Sequence, residues 1–126
     1  MVTANAEKLL KAELKDVLHD LTDLNSISLE LQFQNENVVS YRYWLVNAIT
    51  YTITARNALG AKSEYRFFPK EVESYCDLGD LAELTKRLHN SYKRILMAYE
   101  KELDDSMNNL LHITEMCLLK MIEYVN

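Results

Sequence analysis

SISLELQFQNENVVSYRYWLVNAITYTITARNALGAKSEYRFF, Ser26 to Phe68, is the stretch whose reading decides the fold. Apolar and polar residues alternate along it. Ile27, Leu29, Leu31 and Phe33 are interleaved with Ser28, Glu30, Gln32 and Gln34, and an extended chain sends two such sets to opposite faces. Asn35-Glu36-Asn37 is turn chemistry, after which Val39, Tyr41, Tyr43 and Leu45 repeat the pattern. Past Asn47, the residues Ile49, Tyr51, Ile53 and Ala55 alternate with Thr50, Thr52, Thr54 and Arg56. Gly60 supplies a positive φ between this run and a short fourth one, Ser63 to Phe68, which Pro69 ends. The spacing predicts a four-stranded antiparallel meander. A helix over Val38 to Leu59 competes with it, but β-branched and aromatic residues dominate and the alternation continues over three runs, which favours strands.

Outside that stretch the period is helical. Leu10, Leu14, Val17, Leu21 and Leu24 form one apolar stripe, predicting a helix from about Asn5 to Leu24. After a loop through Tyr75 and Cys76, Asp80 stands three residues before Glu83, the spacing of a helix start. From there Leu81, Leu84, Leu88, Tyr92, Ile95, Tyr99, Leu103, Met107, Leu110, Thr114, Cys117, Met121 and Tyr124 recur at close to one helical turn. One helix over Asp80 to Tyr124 would be roughly 67 Å long, whereas a compact domain of this size has a radius of gyration of roughly 14 Å. Either the helix breaks at Asp104 to Asn109, with Asp105 or Ser106 as a new cap, or its distal half packs on a second copy. The reading is therefore α+β in a single domain, 1–126, with one long or two consecutive C-terminal helices over about 80–125 on one sheet face.

The last turns are apolar on more than one stripe. Leu110, Leu111, Ile113, Met116, Leu118, Leu119 and Ile122 cannot all face one small sheet, and a patch of that width predicts self-association as a dimer or higher homo-oligomer.

Charge and cysteine usage bound the function. With 14 basic and 19 acidic residues among 126, and no basic tract, the chain lacks the electrostatic contribution that drives nucleic-acid binding. Its two cysteines, Cys76 and Cys117, are not in CxxC spacing and read as free thiols of a cytoplasmic protein. The most apolar run, Leu110 to Val125, is interrupted by His112, Glu115, Lys120 and Glu123, so no membrane span is expected. Gly-rich phosphate loops, GxSxG and HExxH are absent, and His112 with Glu115 supplies two metal ligands where a site needs more. No enzyme activity, metal or cofactor is expected.

The meander has a second face. Matching the apolar rows places Glu30, Arg42, Thr52 and Arg66 in one cross-strand row, and Ser28, Trp44, Thr50 and Phe68 in the next. Guanidinium groups beside hydroxyls and rings could clamp and stack a small anionic, nucleotide-type ligand, with Arg42, Trp44, Thr50, Thr52, Arg66 and Phe68 as its contacts. The commoner outcome for such a row is a solvated face with cation–π pairs. The element order resembles, in topology alone, the YbaB type of nucleoid-associated protein, and the size and acidity resemble type III secretion chaperones; no motif carries either resemblance and no residues are transferred. The favoured function is a small homo-oligomeric protein that adapts or inhibits another macromolecule, ahead of ligand sequestration and of nucleoid-type nucleic-acid binding.

Overall fold

A computed structural model of the chain describes residues 4–61 and 76–126. Among these residues there is no strand: the fold is all-helical, which overturns the α+β reading. Four helices are present, α1 (Ala4–Leu31), α2 (Glu36–Ala58), α3 (Leu78–Tyr99) and α4 (Asp105–Val125), with one 3-10 turn at Glu100–Glu102 between α3 and α4. The fourth expected strand, Ser63 to Phe68, lies outside the described residues.

The segments read as strands 1 to 3 are the end of α1 and the whole of α2. Their alternation is the overlay of two helical stripes. Val38, Tyr41, Leu45, Ala48, Ile49, Thr52 and Ala55 are buried on one side of α2, while Val39, Tyr43 and Val46 stand exposed on the other. Interleaved in sequence, the two stripes mimic a period of two. The threonines that argued for a strand bond to their own helix: the hydroxyls of Thr50, Thr52 and Thr54 donate to the carbonyls of Val46, Ala48 and Thr50 at 2.9, 2.8 and 2.9 Å. The expected turn at Asn35 to Asn37 is a helix start, in which the Asn35 side chain accepts from the Asn37 amide.

Each helix boundary has a local cause. At the end of α2, Gly60 takes φ +86°, and the Gly60 and Ala61 amides donate to the Asn57 and Arg56 carbonyls. That pair of bonds is the Schellman closure, which a residue with a Cβ resists. At the start of α3, Asp77 accepts from the Asp80 amide and Asp80 accepts from the Asp77 amide, both at 2.9 Å. The cap thus stands at Asp77, three residues before the one expected at Asp80. The C-terminal region is two helices: Leu103 is extended, and Asp104 caps α4 by accepting from the Met107 amide.

The packed pairs are α1–α2, α2–α4, α4–α3 and α3–α1, so α1 and α4 stand on one diagonal of the bundle and α2 and α3 on the other. Arg42 of α2 reaches Asn25 and Ser28 of α1, and Gly60 lies by Lys11, which makes α1 and α2 antiparallel. Glu13 of α1 stands beside Tyr99 of α3, and Lys86 donates to Asn126, so the α1–α3 and α3–α4 pairs are antiparallel too. It follows that α2 and α4 are antiparallel, and that α2 ends and α3 begins at opposite ends of the bundle. The predicted α1 stripe of Leu10, Leu14, Val17, Leu21 and Leu24 is wholly buried, with Leu81, Leu88, Tyr92, Leu111, Leu118 and Met121 facing it.

Candidate functional site

The four described residues of the expected anion site all lie on α2, where they no longer form rows. Side chains two positions apart on a helix diverge by about 200°. Arg42 Nη1 donates to the Ser28 hydroxyl at 2.7 Å and to the Asn25 carbonyl at 3.1 Å, tying α2 to α1. Trp44 is half-buried against the core, and its ring meets that of Tyr43 edge-on, at 5.1 Å and 83°. Thr52 is buried, whereas Thr50 is exposed. Arg66 and Phe68 lie outside the described residues. Among the described residues the cross-strand rows that motivated the site do not form.

Of the expected self-association residues, Leu111 and Leu118 are buried within the bundle, and Leu110 and Ile122 are half-buried. Ile113, Met116 and Leu119 are exposed along α4. His112 is exposed, and among the described residues no three His, Cys, Asp or Glu side chains are grouped to hold a metal ion.

Burial sorts the surface in a way the composition hides. Helices α1 and α3 carry nine charged residues in 28 and six in 22, against three in 23 for α2 and four in 21 for α4. On α2 the first residue, Glu36, is charged, and both other charged residues, Arg42 and Arg56, are half-buried. Between Asn37 and Ala58 every exposed residue of α2 is uncharged: Asn37, Val39, Tyr43, Val46, Thr50, Thr54, Asn57 and Ala58. On α4 the exposed residues from Ser106 to Leu119 carry neither a carboxylate nor an ammonium. Since α2 and α4 pack side by side, one layer of the bundle is charge-poor and the opposite layer, α1 with α3, holds most of the charge.

Three polar side chains of α2 bond to their own helix. Thr50 and Thr54 turn their hydroxyl protons to their own helix, and the Asn47 amide donates to the Tyr43 carbonyl at 3.0 Å. Covering these three groups strips no bonded donor of its partner, which lowers the desolvation cost of burying them. Two shallow depressions of about 270 and about 310 Å³ run along α2 and share Val46 as a wall; Asn25, Ile49, Thr50 and Ile53 complete the first, and Val39, Arg42, Tyr43 and Asn47 the second. Charge depletion with aromatic and Met enrichment marks the centre of protein interfaces.

A second polar feature lies inside the bundle between α3 and α4. Tyr92 Oη and His89 Nε2, one turn apart on α3, are buried and make no hydrogen bond of good geometry, although Thr114 stands close enough to Tyr92 to oppose the effect of its burial. The nearby Thr114 hydroxyl donates to the Leu110 carbonyl instead. Burial pushes the Tyr92 phenol well above its ordinary value. His89 is held below its ordinary value by burial, against the pull of Glu115 and with the help of Lys93. Both thiols are free, Cys117 buried with its pKa raised by burial, and Cys76 half-buried against the core.

No described helix is long and apolar enough to cross a membrane. Compared with protein-family models, curated proteins and solved structures, the chain matches none of them.

Proposed function

We propose that this chain is a cytoplasmic, homo-oligomeric binding protein of the adaptor or inhibitor class, with the outer face of α2 and α4 as a protein contact. The observation that supports this reading is the run of uncharged exposed residues on α2, from Asn37 to Ala58, in a chain where 26% of residues are charged. A helix that serves only to close a bundle ordinarily turns charge to water on its outer side. Here the outer side carries Val39, Tyr43 and Val46, and α4 adds Ile113, Met116 and Leu119. The two free cysteines fit a reducing compartment.

A photo-reactive amino acid at position 43 or 116, introduced into the full chain in its native host, tests the reading. Covalent adducts to protein from these two positions, and none from position 87 on exposed α3, are the expected result. Equal yields at all three positions, or none at any, would refute it.

A further inference from the structure

We infer that the chain which covers the α2–α4 face is a second copy of this protein, in an isologous dimer. The inference rests on the reading above, that this face is a protein contact, and commits it to one occupant.

Two arguments on this surface select the second copy. The first is electrostatic. A two-fold interface brings a patch against itself, so any net charge on it meets its own sign. A face whose exposed residues run uncharged from Asn37 to Ala58 on α2 and from Ser106 to Leu119 on α4 brings no charge against its own image over those spans. Arg42, which borders the face, turns its Nη1 to the Asn25 carbonyl and the Ser28 hydroxyl, and past the uncharged span of α4 Lys120 pairs with Glu123 at 3.5 Å.

The second argument is size. Helix α2 has 23 residues and is therefore ~34 Å long, and two packed helices span ~20 Å, giving a face of ~700 Å². A stable interface of standard size takes about 800 Å² from each partner. The face is thus close to what a dimer requires, and larger than a single docked peptide needs. Tyr43 and Met116 supply the aromatic and flexible apolar side chains that such a contact concentrates near its centre. Asn47 is the middle residue of α2, so a two-fold axis through the centre of that helix's outer side passes close to it.

Sedimentation velocity on the purified full chain at micromolar concentration tests the inference. The wild type is expected to run as a dimer. Tyr43→Asp and Met116→Asp are each expected to weaken it at least tenfold, while Met97→Asp, an equally polar change at an exposed residue of α3, leaves it intact. All three replaced side chains are exposed, so the variants are expected to stay folded, which circular dichroism checks. Asn47→Cys is expected to give a covalent dimer on oxidation that the wild type, with its own two cysteines, does not form. A dimer that survives both Asp variants overturns the assignment of the surface. A wild type that stays monomeric, with photo-adducts from position 43 to some different protein, overturns the second copy while leaving the binding role in place. Absence of both dimer and adducts removes the binding role as well.

Discussion

The Tyr41 hydroxyl on α2 meets the Thr85 hydroxyl on α3 at 2.9 Å, across the diagonal of the bundle, with both side chains buried. The direction of the bond follows from the neighbours. Thr85 has one proton and gives it to the Leu81 carbonyl at 2.6 Å, so Tyr41 must be the donor to Thr85 Oγ. Burial raises the Tyr41 phenol far above its ordinary value, which favours the protonated, donating form.

Three substitutions should therefore rank in order. Thr85→Val strands a buried phenol and should cost about 1–3 kcal/mol. Tyr41→Phe removes the donor but leaves Thr85 bonded to Leu81, at about 1 kcal/mol. Tyr92→Phe deletes a hydroxyl that makes no hydrogen bond of good geometry and should change stability by less than about 0.5 kcal/mol, or raise it. Urea denaturation of the three variants checks the ranking, and a Tyr92→Phe loss as large as that of Thr85→Val would contradict it.

Stability should fall as the solution is acidified past the ordinary histidine range. The folded His89 takes up a proton less readily than the unfolded one, because burial disfavours the imidazolium. Between the depressed folded value and about 6.5, the unfolded chain binds more protons, so acid favours it. The contribution is fully present above about 6.5 and is lost toward the folded value. His89→Gln should flatten that part of the profile of melting temperature against pH. An unchanged slope would assign it to other groups.

Asp20 titrates with the opposite sign. Its carboxyl is raised by burial and by Asp23 and Asp16, with His19 opposing. The folded state then holds that proton more tightly, and stability declines as pH rises through the elevated value. Asp20→Asn is expected to raise the melting temperature at neutral pH and leave it unchanged in acid below the carboxylate range.

Gly60→Ala should cost about 1–2 kcal/mol, the penalty for a Cβ at positive φ. Crowding adds little, since the nearest atom to the added carbon is Lys11 Nζ at 3.9 Å. Gly60→Asn, which tolerates the left-handed region, should recover part of the loss in thermal denaturation.

Much of α1 and α3 was legible because each has one apolar stripe, and a single stripe has a single period. Leu10 to Leu24 and Leu81 to Tyr99 needed nothing more. Helix α2 was misread because its outer side is also apolar: Val39, Tyr43 and Val46 fill the gaps left by Val38, Tyr41 and Leu45, and the sum has no helical signature. A countersignal was present. From Ser26 to Leu59 there is neither Gly nor Pro, so the first two tight hairpins would have lacked the residues that turn them. Asn35 has the same chemistry as a turn residue or as a cap, and neither its identity nor its neighbours separate the two. The contact face was half visible. Its scarcity of charge between Glu36 and Arg56 can be read from the letters, but that both arginines turn inward, and that α4 extends the face, are tertiary facts.

The order in which the helices pack has a bearing on how the chain could be divided. Helices α1 and α2 form one hairpin and α3 and α4 another, and their apolar stripes meet only when the two hairpins dock, α1 on α3 and α2 on α4. Neither half can bury its stripe alone. Cutting the backbone between Ala61 and Cys76 would thus yield two fragments, each poorly structured in isolation, whose joint recovery of helicity on mixing makes the bundle a split reporter with Tyr41 and Thr85 as its latch.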